Sequence, residues 1–164
     1  MKLFGHSPHQ ILIVFPAGLL LTAIVFDLAG LAGWPDFYRL AYWLIVAGLI
    51  GGAVAAIFGI IDWINIPSGT RAKRVGLYHA AGNVVVLALF LASWWLRDPA
   101  VAPSASALAL GLAGGGLLFL TGWLGGELVS RLGVGVDQDA FVDASSSISR
   151  HGAVEGGTSM KLRP

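Results

Sequence analysis

The residues of this chain that are best suited to chemistry are two histidines and two acids near the ends of long apolar stretches. They are His9, Asp62, His79 and Glu127. Because hydrocarbon offers a charged group no water, ionisable residues in such stretches are candidates for a functional site. Imidazole and carboxylate ligands together suit Fe, Mn or Zn. The pattern therefore predicts a metal site formed by all four side chains.

The two histidines also support a second interpretation, a b-type haem held between them. The first and third helices of an antiparallel four-helix bundle are diagonal, so His9 and His79 would face each other and supply both axial ligands. Asn83 lies one helical turn after His79 on the same face. Arg71 and Arg74 would pair with the haem propionates, since a guanidinium group matches a carboxylate. The cofactor-binding residues predicted in this way are His9, Trp63, Arg71, Arg74, His79 and Asn83.

A quinone is the third cofactor that this set of residues suits. In that version His79 and Asp62 hydrogen-bond the ring oxygens of the quinone. The haem version adds three aromatic walls to its pocket, namely Trp63, Tyr78 and Trp123. The sequence leaves haem, a quinone and a metal ion open as cofactors.

Each of the four residues also has an interpretation that needs no cofactor. Glu127 and Arg131 are spaced i, i+4 along a helix and suit a surface ion pair. Asp62 suits a bond to the loop that follows it, or to Arg71 or Arg74. A histidine within a membrane helix often hydrogen-bonds a neighbouring helix. Under this interpretation the polar cluster locks the bundle and binds no ligand.

Asp27 stands apart from the other ionisable residues, in the outer half of the first apolar stretch. A carboxylate there needs a cationic partner or contact with the membrane interface. Arg39 and Arg97 are the candidate partners. A role in proton transfer is less favoured, because no second acid continues a path across the middle of the membrane.

Four long apolar stretches must position these side chains. Each is close to or longer than the ~20 residues that cross a bilayer as a helix. The mean hydropathy is +0.78 and only 12% of the residues are charged, against about a quarter in soluble domains. The sequence thus predicts an all-α integral membrane protein, a four-helix up-down-up-down bundle. The stretches run from about Ile11 to Gly33, Leu40 to Ile64, Val75 to Leu96 and Ala105 to Val129.

Composition excludes several classes of function. A net charge of +1 provides no basic stripe for a nucleic acid. Without cysteine the chain cannot form disulfides, Cys-ligated zinc sites, iron–sulfur clusters or covalently attached haem. Noncovalent haem and sites made of histidine and carboxylate remain. In every interpretation the lipid bilayer is an expected partner.

The placement of basic residues predicts the orientation in the membrane. The connection between the second and third stretches ends in Arg71, Lys73 and Arg74, and basic connections stay in the cytoplasm. Both termini then lie in the cytoplasm, and the polar cluster lies at the cytoplasmic face of a bacterial inner membrane. We expect residues 1–136 to form the bundle. Residues 137–164 are expected to form a flexible cytoplasmic tail, since residues 143–160 are rich in Ser, Gly, Asp and Glu.

Small residues recur at every fourth position of the second and fourth stretches. This spacing lets helices approach each other closely. Packing within the bundle is the favoured explanation, and room for a flat cofactor or a homodimer contact are the alternatives. The runs are Gly48-x-x-x-Gly52-x-x-x-Ala56, Gly51-x-x-x-Ala55-x-x-x-Gly59, Gly111-x-x-x-Gly115 and Gly122-x-x-x-Gly126.

A faint internal repeat links the two halves of the chain. Each half has a histidine near its start and an acid near its close, with His9 and Asp62 53 residues apart and His79 and Glu127 48 residues apart. The similar separations suggest pseudo-twofold symmetry about the membrane normal.

Three motifs carry a resemblance to a known family. The first two read Gly5-His6-Ser7-Pro8-His9-Gln10 and Ile61-Asp62-Trp63. The third reads Gly122-Trp123-Leu124-Gly125-Gly126-Glu127-Leu128-Val129 and is followed by Gly133-Val134-Gly135-Val136. Over residues 5–136 the chain resembles a bacterial membrane-protein family known as a domain of unknown function (number 2231). The opening differs from the pattern of that family at Ser7 and Gln10, where Pro is expected, and at Val14, where some members have His.

The resemblance implies electron transfer, by analogy with relatives fused to, or encoded with, Rieske or cytochrome-like modules. We therefore expect a membrane-embedded redox or cofactor-binding subunit that uses a b-type haem or a quinone at the cytoplasmic face. Other membrane or redox subunits are its expected partners. The alternative is a non-catalytic anchor subunit of a larger membrane complex.

Overall fold

The computed structural model describes residues 6–137, 140–144 and 146. Within this part of the chain, α1 and α2 join into one span, Pro8–Leu31, and three further helices are also long and apolar enough to cross a membrane. The prediction of an all-α protein with four spans is confirmed. The predicted tail lies mostly outside the described residues. The helices are α1 (Pro8–Leu12), α2 (Val14–Leu31), α3 (Asp36–Ile64), α4 (Arg71–Trp95) and α5 (Ala105–Ser130).

The break between α1 and α2 has a local cause. Pro16 has no backbone N–H, so the carbonyl of Leu12 loses its helical partner. Ile13 between the two helices keeps helical backbone angles, with φ −65° and ψ −23°. The N–H of Ala17 still donates to the carbonyl of Ile13 at 3.2 Å. The proline therefore interrupts the hydrogen bonding without ending the span.

Side-chain caps fix where α4 and α5 begin. The hydroxyl of Thr70 accepts from the N–H of Lys73 at 3.1 Å, and the hydroxyl of Ser104 accepts from the N–H of Ala107 at 3.3 Å. Each cap satisfies a backbone donor that has no partner within its helix. The start of α4 at Arg71 places His79 about two turns inside the span.

The spans form a ring of two hairpins. The closest packing lies within the hairpins, α2 with α3 and α4 with α5. Helix α3 also packs on α4, and α2 on α5, which leaves α2 and α4 diagonal. We call the end of the bundle that carries residues 65–74 the basic-loop end. The opposite end carries the connections 32–35 and 96–104.

The outer surface of the bundle is more apolar than a water-soluble bundle allows. Large side chains point outward along the spans, among them Ile50, 63% exposed, and Phe119, 68% exposed. Such a surface suits hydrocarbon. The core between the spans is small, and its largest side chains are Leu20, Ile45, Val86 and Phe90.

Most of the glycine runs serve packing between helices. A Cβ added at Gly48 would lie 2.6 Å from Leu20, and one added at Gly52 would lie 2.7 Å from Leu87. This close approach supports the favoured explanation. Gly122 and Gly126 differ, since a Cβ added at either meets no atom within 4 Å. The homodimer contact stays a prediction.

The two halves repeat each other's packing. Leu20 lies over Gly48 as Phe90 lies over Gly114. First-helix residues thus correspond to residues 70 positions later, and second-helix residues to residues 66 positions later. Under this relation Asp62 corresponds to Leu128, the residue that follows Glu127. The pseudo-twofold axis runs along the bundle between α2 and α4.

Candidate cofactor site

The structure brings His9 of α1 and His79 of α4 together across the bundle axis. Their ring centroids are 6.2 Å apart and their planes meet at 86°. The residues are related by the shift of 70 positions that relates the two halves. The pair therefore lies on the pseudo-twofold axis, at the basic-loop end.

Backbone carbonyls fix the hydrogen positions on both rings. His9 Nδ1 lies 2.8 Å from the carbonyl oxygen of Ala55, and His79 Nδ1 lies 2.8 Å from that of Thr121. A carbonyl oxygen only accepts, so each Nδ1 carries the hydrogen. In the neutral ring, Nε2 then has a lone pair. Metal-binding histidines use the same arrangement, in which a second N–H bonded to a carbonyl orients the ring.

A glycine makes room for each ring. A Cβ added at Gly59 would lie 3.0 Å from His9 Cε1, and one added at Gly125 would lie 3.1 Å from His79 Cε1. Each glycine follows the carbonyl acceptor of its ring by one helical turn. These two glycines therefore clear space for imidazoles rather than for a flat cofactor. The feature of the sequence that could have indicated this contact is a glycine in the span that follows each histidine-bearing span.

Asn83 supports the ring of His79 and its carbonyl acceptor. Its Nδ2 donates to the backbone carbonyl of His79 at 2.9 Å, and its Oδ1 accepts from the hydroxyl of Thr121 at 3.2 Å. Nδ2 also lies 3.2 Å from His79 Nε2 and 3.4 Å from Nδ1. An atom almost equidistant from both ring nitrogens is not in line with the Nε2 lone pair. The lone pair thus stays available to a ligand.

An apolar cavity of about 150 Å³ lies beside the two rings. Its walls come mainly from α3 and α4 and include Trp63 and Asn83. Their role in binding a cofactor stays a prediction. The volume holds several water molecules, since one needs about 10–15 Å³. It is smaller than the about 300–1,000 Å³ typical of small-molecule pockets.

A polar cavity of about 570 Å³ adjoins the apolar one at the basic-loop end. The two cavities share Asp62, Ile66 and Val134 in their walls. Ser7 and Arg71 line the polar cavity only. A ligand with an apolar body and an anionic group would find suitable surroundings across the two.

The chain after α5 folds back over the basic-loop end. Gly133, with φ +65°, ends the helix in the left-handed conformation that favours glycine. The amide of Gln10 then donates to the carbonyl of Val134 at 3.1 Å. Gly135, with φ +82°, has no room for a side chain, because an added Cβ would clash with that amide. The motif around Val134 therefore forms part of the wall of both cavities, a role that the sequence did not indicate.

The two acids of the predicted metal site have other partners. Asp62 accepts a short hydrogen bond from the hydroxyl of Ser7. Glu127 Oε1 lies 2.6 Å from Arg71 Nη2, so its ion-pair partner is on the facing helix rather than at Arg131. Among the residues that the structure describes, no three His, Asp or Glu side chains are grouped to hold a metal ion. The structure thus brings together the histidines but not the full set of four.

The other predicted pocket residues divide into two groups. Trp63 lines the apolar cavity and donates to the carbonyl of Lys73 at 3.1 Å, while the Lys73 ammonium lies 3.9 Å from its ring centroid. Arg74 is exposed and lines neither of the two cavities described. Tyr78 and Trp123 point away from the bundle, at 64% and 68% exposure. The expectation that they wall the pocket is wrong.

Asp27 forms a buried ion pair at the opposite end. Its two carboxylate oxygens each accept from a different Arg97 nitrogen at 2.7 Å, and the side chains are 7% and 2% exposed. Arg97, rather than Arg39, is the partner. Ser93 completes the network, since its hydroxyl accepts from Arg97 at 3.1 Å and donates to the carbonyl of Ala107 at 2.6 Å.

Comparison with known proteins gives one match. The model of a family described as "Predicted membrane protein (DUF2231)" matches residues 5–138. Neither the curated proteins nor the solved structures contain a significant match to the chain. The matched range includes the histidine pair and the segment that closes the two cavities.

Proposed function

Since the chain belongs to the DUF2231 family of predicted membrane proteins, whose description names no activity, we propose a function from its own residues. The protein is a membrane-embedded redox subunit that binds a b-type haem or a quinone at His9 and His79. One observation carries this proposal, namely two facing imidazoles whose Nδ1–H groups are fixed by carbonyls. The basic connection at this end supports a location of the site at the cytoplasmic face of a bacterial inner membrane.

The separation of the two rings suits an ion bound between them. Metal–imidazole bonds are about 2 Å long, so two ligating nitrogens lie about 4 Å apart across one ion. Ring centroids 6.2 Å apart are compatible with that span when both Nε2 atoms turn inward. Two imidazoles suit the iron of a b-type haem, while Asp62, which lines the same cavity, already accepts a hydrogen bond from Ser7.

A haem also needs space and a partner for its propionates. The apolar cavity alone is too small, but the adjoining polar cavity adds about 570 Å³ and includes Arg71. Arg71 is the residue suited to a propionate, although it must then leave Glu127. Arg74 lies outside both cavities and supplies long-range positive charge only.

A quinone needs less rearrangement than a haem. Its flat ring fits the apolar cavity, and Asp62 and His79 both line that cavity. The polar atoms available there are few, which suits a ligand that is mostly apolar. The proposal therefore has two branches that share one pair of histidines.

The test is an optical spectrum of the purified protein, oxidised and dithionite-reduced, with metal analysis and solvent extraction of quinones from the same sample. In the haem branch we expect a Soret band that disappears in His9→Ala and in His79→Ala. His6→Ala is the matched control, since His6 precedes the pair and is exposed. In the quinone branch the purified protein is colourless and a quinone is recovered from it by solvent extraction. A sample without haem, metal or quinone contradicts the proposal.

A non-catalytic anchor subunit is the second candidate function. It is favoured by the many internal partners of the polar groups at the basic-loop end, such as Ser7 with Asp62 and Arg71 with Glu127. These contacts lock the bundle without any ligand. Here the protein co-purifies with a larger complex, and truncation after Val136 releases the partner. Retention of the partner by the truncated chain contradicts this candidate.

A further inference from the structure

The hydrogen positions on the two histidines select the kind of ligand that the apolar cavity accepts. Both Nδ1–H groups donate to carbonyls, so both Nε2 atoms of the neutral rings are hydrogen-bond acceptors. A quinone carbonyl is also an acceptor and gains nothing from such a nitrogen. The hydroxyl of a hydroquinone is a donor and satisfies it. The pair is therefore matched to the reduced form of the ligand.

The walls of the cavity select the rest of the ligand. The polar side chains in its lining are His9, Asp62, His79 and Asn83, and the remaining lining residues are apolar or aromatic. A volume of about 150 Å³ suits one aromatic ring rather than a larger headgroup. An apolar ring with hydroxyl groups at its rim fits these surroundings.

One side of the cavity reaches the outer surface between α3 and α4. Its lining includes Ile60 of α3 and Val84 of α4, whose side chains are 55% and 65% exposed. These residues lie within two of the helices that are long and apolar enough to cross a membrane. A ligand that enters here comes from the bilayer, and an apolar tail can stay in the lipid while its headgroup reaches the histidines.

We propose that the apolar cavity binds a lipid-soluble hydroquinone, which enters between α3 and α4 and donates a hydroxyl hydrogen to Nε2 of His9 or His79. This inference rests on the proposed function and narrows its quinone branch to the reduced ligand. It concerns binding only. Asn83 and Thr121 act as positioning residues, since they hold the His79 ring in the orientation that presents its lone pair.

The first experiment compares two ligands that differ only in oxidation state. The full chain in lipid nanodiscs is titrated anaerobically with decyl-benzohydroquinone and with decyl-benzoquinone, and each Kd is measured by calorimetry. We expect the hydroquinone to bind about tenfold more tightly or better, because the quinone leaves a buried acceptor unsatisfied. In His9→Ala and His79→Ala this preference should fall toward one. Equal affinity of the unmodified protein for the two forms overturns the inference.

The second experiment tests the entrance. Val84→Trp fills the opening between α3 and α4 and should weaken hydroquinone binding about tenfold or more. Val85→Trp is the matched control, since Val85 is the next residue of α4, is 48% exposed and does not line the cavity. Equal hydroquinone affinity of the two variants overturns the proposed entrance.

The outcomes separate this inference from the proposed function. A haem ligated by both histidines overturns the hydroquinone site and leaves the proposed function standing. A protein that binds neither probe and contains no haem contradicts both. A preference for the hydroquinone that depends on both histidines supports both.

Discussion

The two ends of this bundle place polar pairs at equivalent positions, yet the pairs differ in how fully they are satisfied. His9 and His79 meet at the basic-loop end, and Asp27 and Arg97 meet at the opposite end. In both pairs the two residues are 70 positions apart, although Arg97 lies just after α4 ends at Trp95. The same symmetry thus produced two contacts across one axis.

The difference lies in what remains unpaired. The ion pair of Asp27 and Arg97 uses both carboxylate oxygens, and Ser93 provides a further acceptor for the guanidinium group. Each histidine donates only through Nδ1, and a cavity lies beside the rings. The Asn83 amide lies 3.2 Å from His79 Nε2 but off the line of its lone pair. A fully paired buried contact suits structure, whereas a pair with two open nitrogens beside a cavity suits a ligand.

The largest expected effect comes from breaking the buried ion pair of Asp27 and Arg97, whose polar groups are all hydrogen-bonded; we call it the closed ion pair. Asp27→Asn leaves the Arg97 charge buried without a counter-charge, so the free energy of unfolding should fall by about 3–5 kcal/mol. Reversible unfolding in mixed micelles, followed by circular dichroism, measures the change. Asp36→Asn is the control, because Asp36 is exposed at the same end and its loss should cost about 0.5 kcal/mol or less.

The double variant Asp27→Leu/Arg97→Met sharpens this result. Replacement of a buried ion pair by apolar side chains is often neutral, so most of the lost stability should return. If Asp27→Asn is as stable as Asp36→Asn, the ion pair is not the structural contact described above.

Substitutions at two neighbouring glycines of α5 test the packing of the His79 ring, one member of the histidine pair, against Gly125. Gly125→Leu places a side chain against the His79 ring and should lower the free energy of unfolding by about 1–3 kcal/mol through overpacking. It should also abolish ligand binding at the pair. Gly126→Leu is the control, since an added Cβ there meets no atom within 4 Å. Similar stability of the two variants would contradict the packing of the His79 ring against Gly125.

Loss of a histidine should affect stability less than loss of Asp27. His79→Ala removes the hydrogen bond to the carbonyl of Thr121 and the contact of the ring with the Asn83 amide, and together these losses should cost about 0.5–1.5 kcal/mol. Unfolding measurements should show a loss in that range, while ligand binding disappears. A loss of about 3 kcal/mol or more without any effect on bound ligand would identify the pair as structural, like Asp27 and Arg97.

The smallest effect is expected at the ion pair of Glu127 and Arg71. The Arg71 side chain is 56% exposed, so the pair should contribute about 0–1 kcal/mol and weaken in salt. A double-mutant cycle for unfolding should give coupling of Glu127 to Arg71 but not to Arg131. Coupling to Arg131 instead would support the ion pair of Glu127 with Arg131, four residues later in the sequence.

Much of the fold was readable from the sequence because lipid imposes strong constraints. Four apolar stretches of sufficient length predict four helices, since only hydrogen-bonded helices or closed barrels span a bilayer. Short connections then predict antiparallel neighbours, which places His9 and His79 on diagonal helices. Whether the two rings meet depends in addition on the rotation of each helix.

The rest of the candidate site depended on helix rotation, which the sequence does not specify. Tyr78 is next to His79 along α4 but faces outward. Glu127 could reach Arg131 along its own helix, but the packing of α4 on α5 brings Arg71 closer. Rotation also decides that Gly125 lies under a ring while Gly126 faces away.

The sequence by itself determined that this protein has four membrane-spanning helices and that two histidines and two acids lie toward one end of them, because hydrophobicity and charge act locally along the chain. Only the tertiary structure decided which of those groups pair. A hydrogen bond between two helices forms only when packing brings its donor and acceptor atoms within about 3 Å. It assigned the Nδ1 hydrogens to carbonyls and left two Nε2 atoms beside a cavity. The difference between a closed ion pair and an open histidine pair exists only at that level.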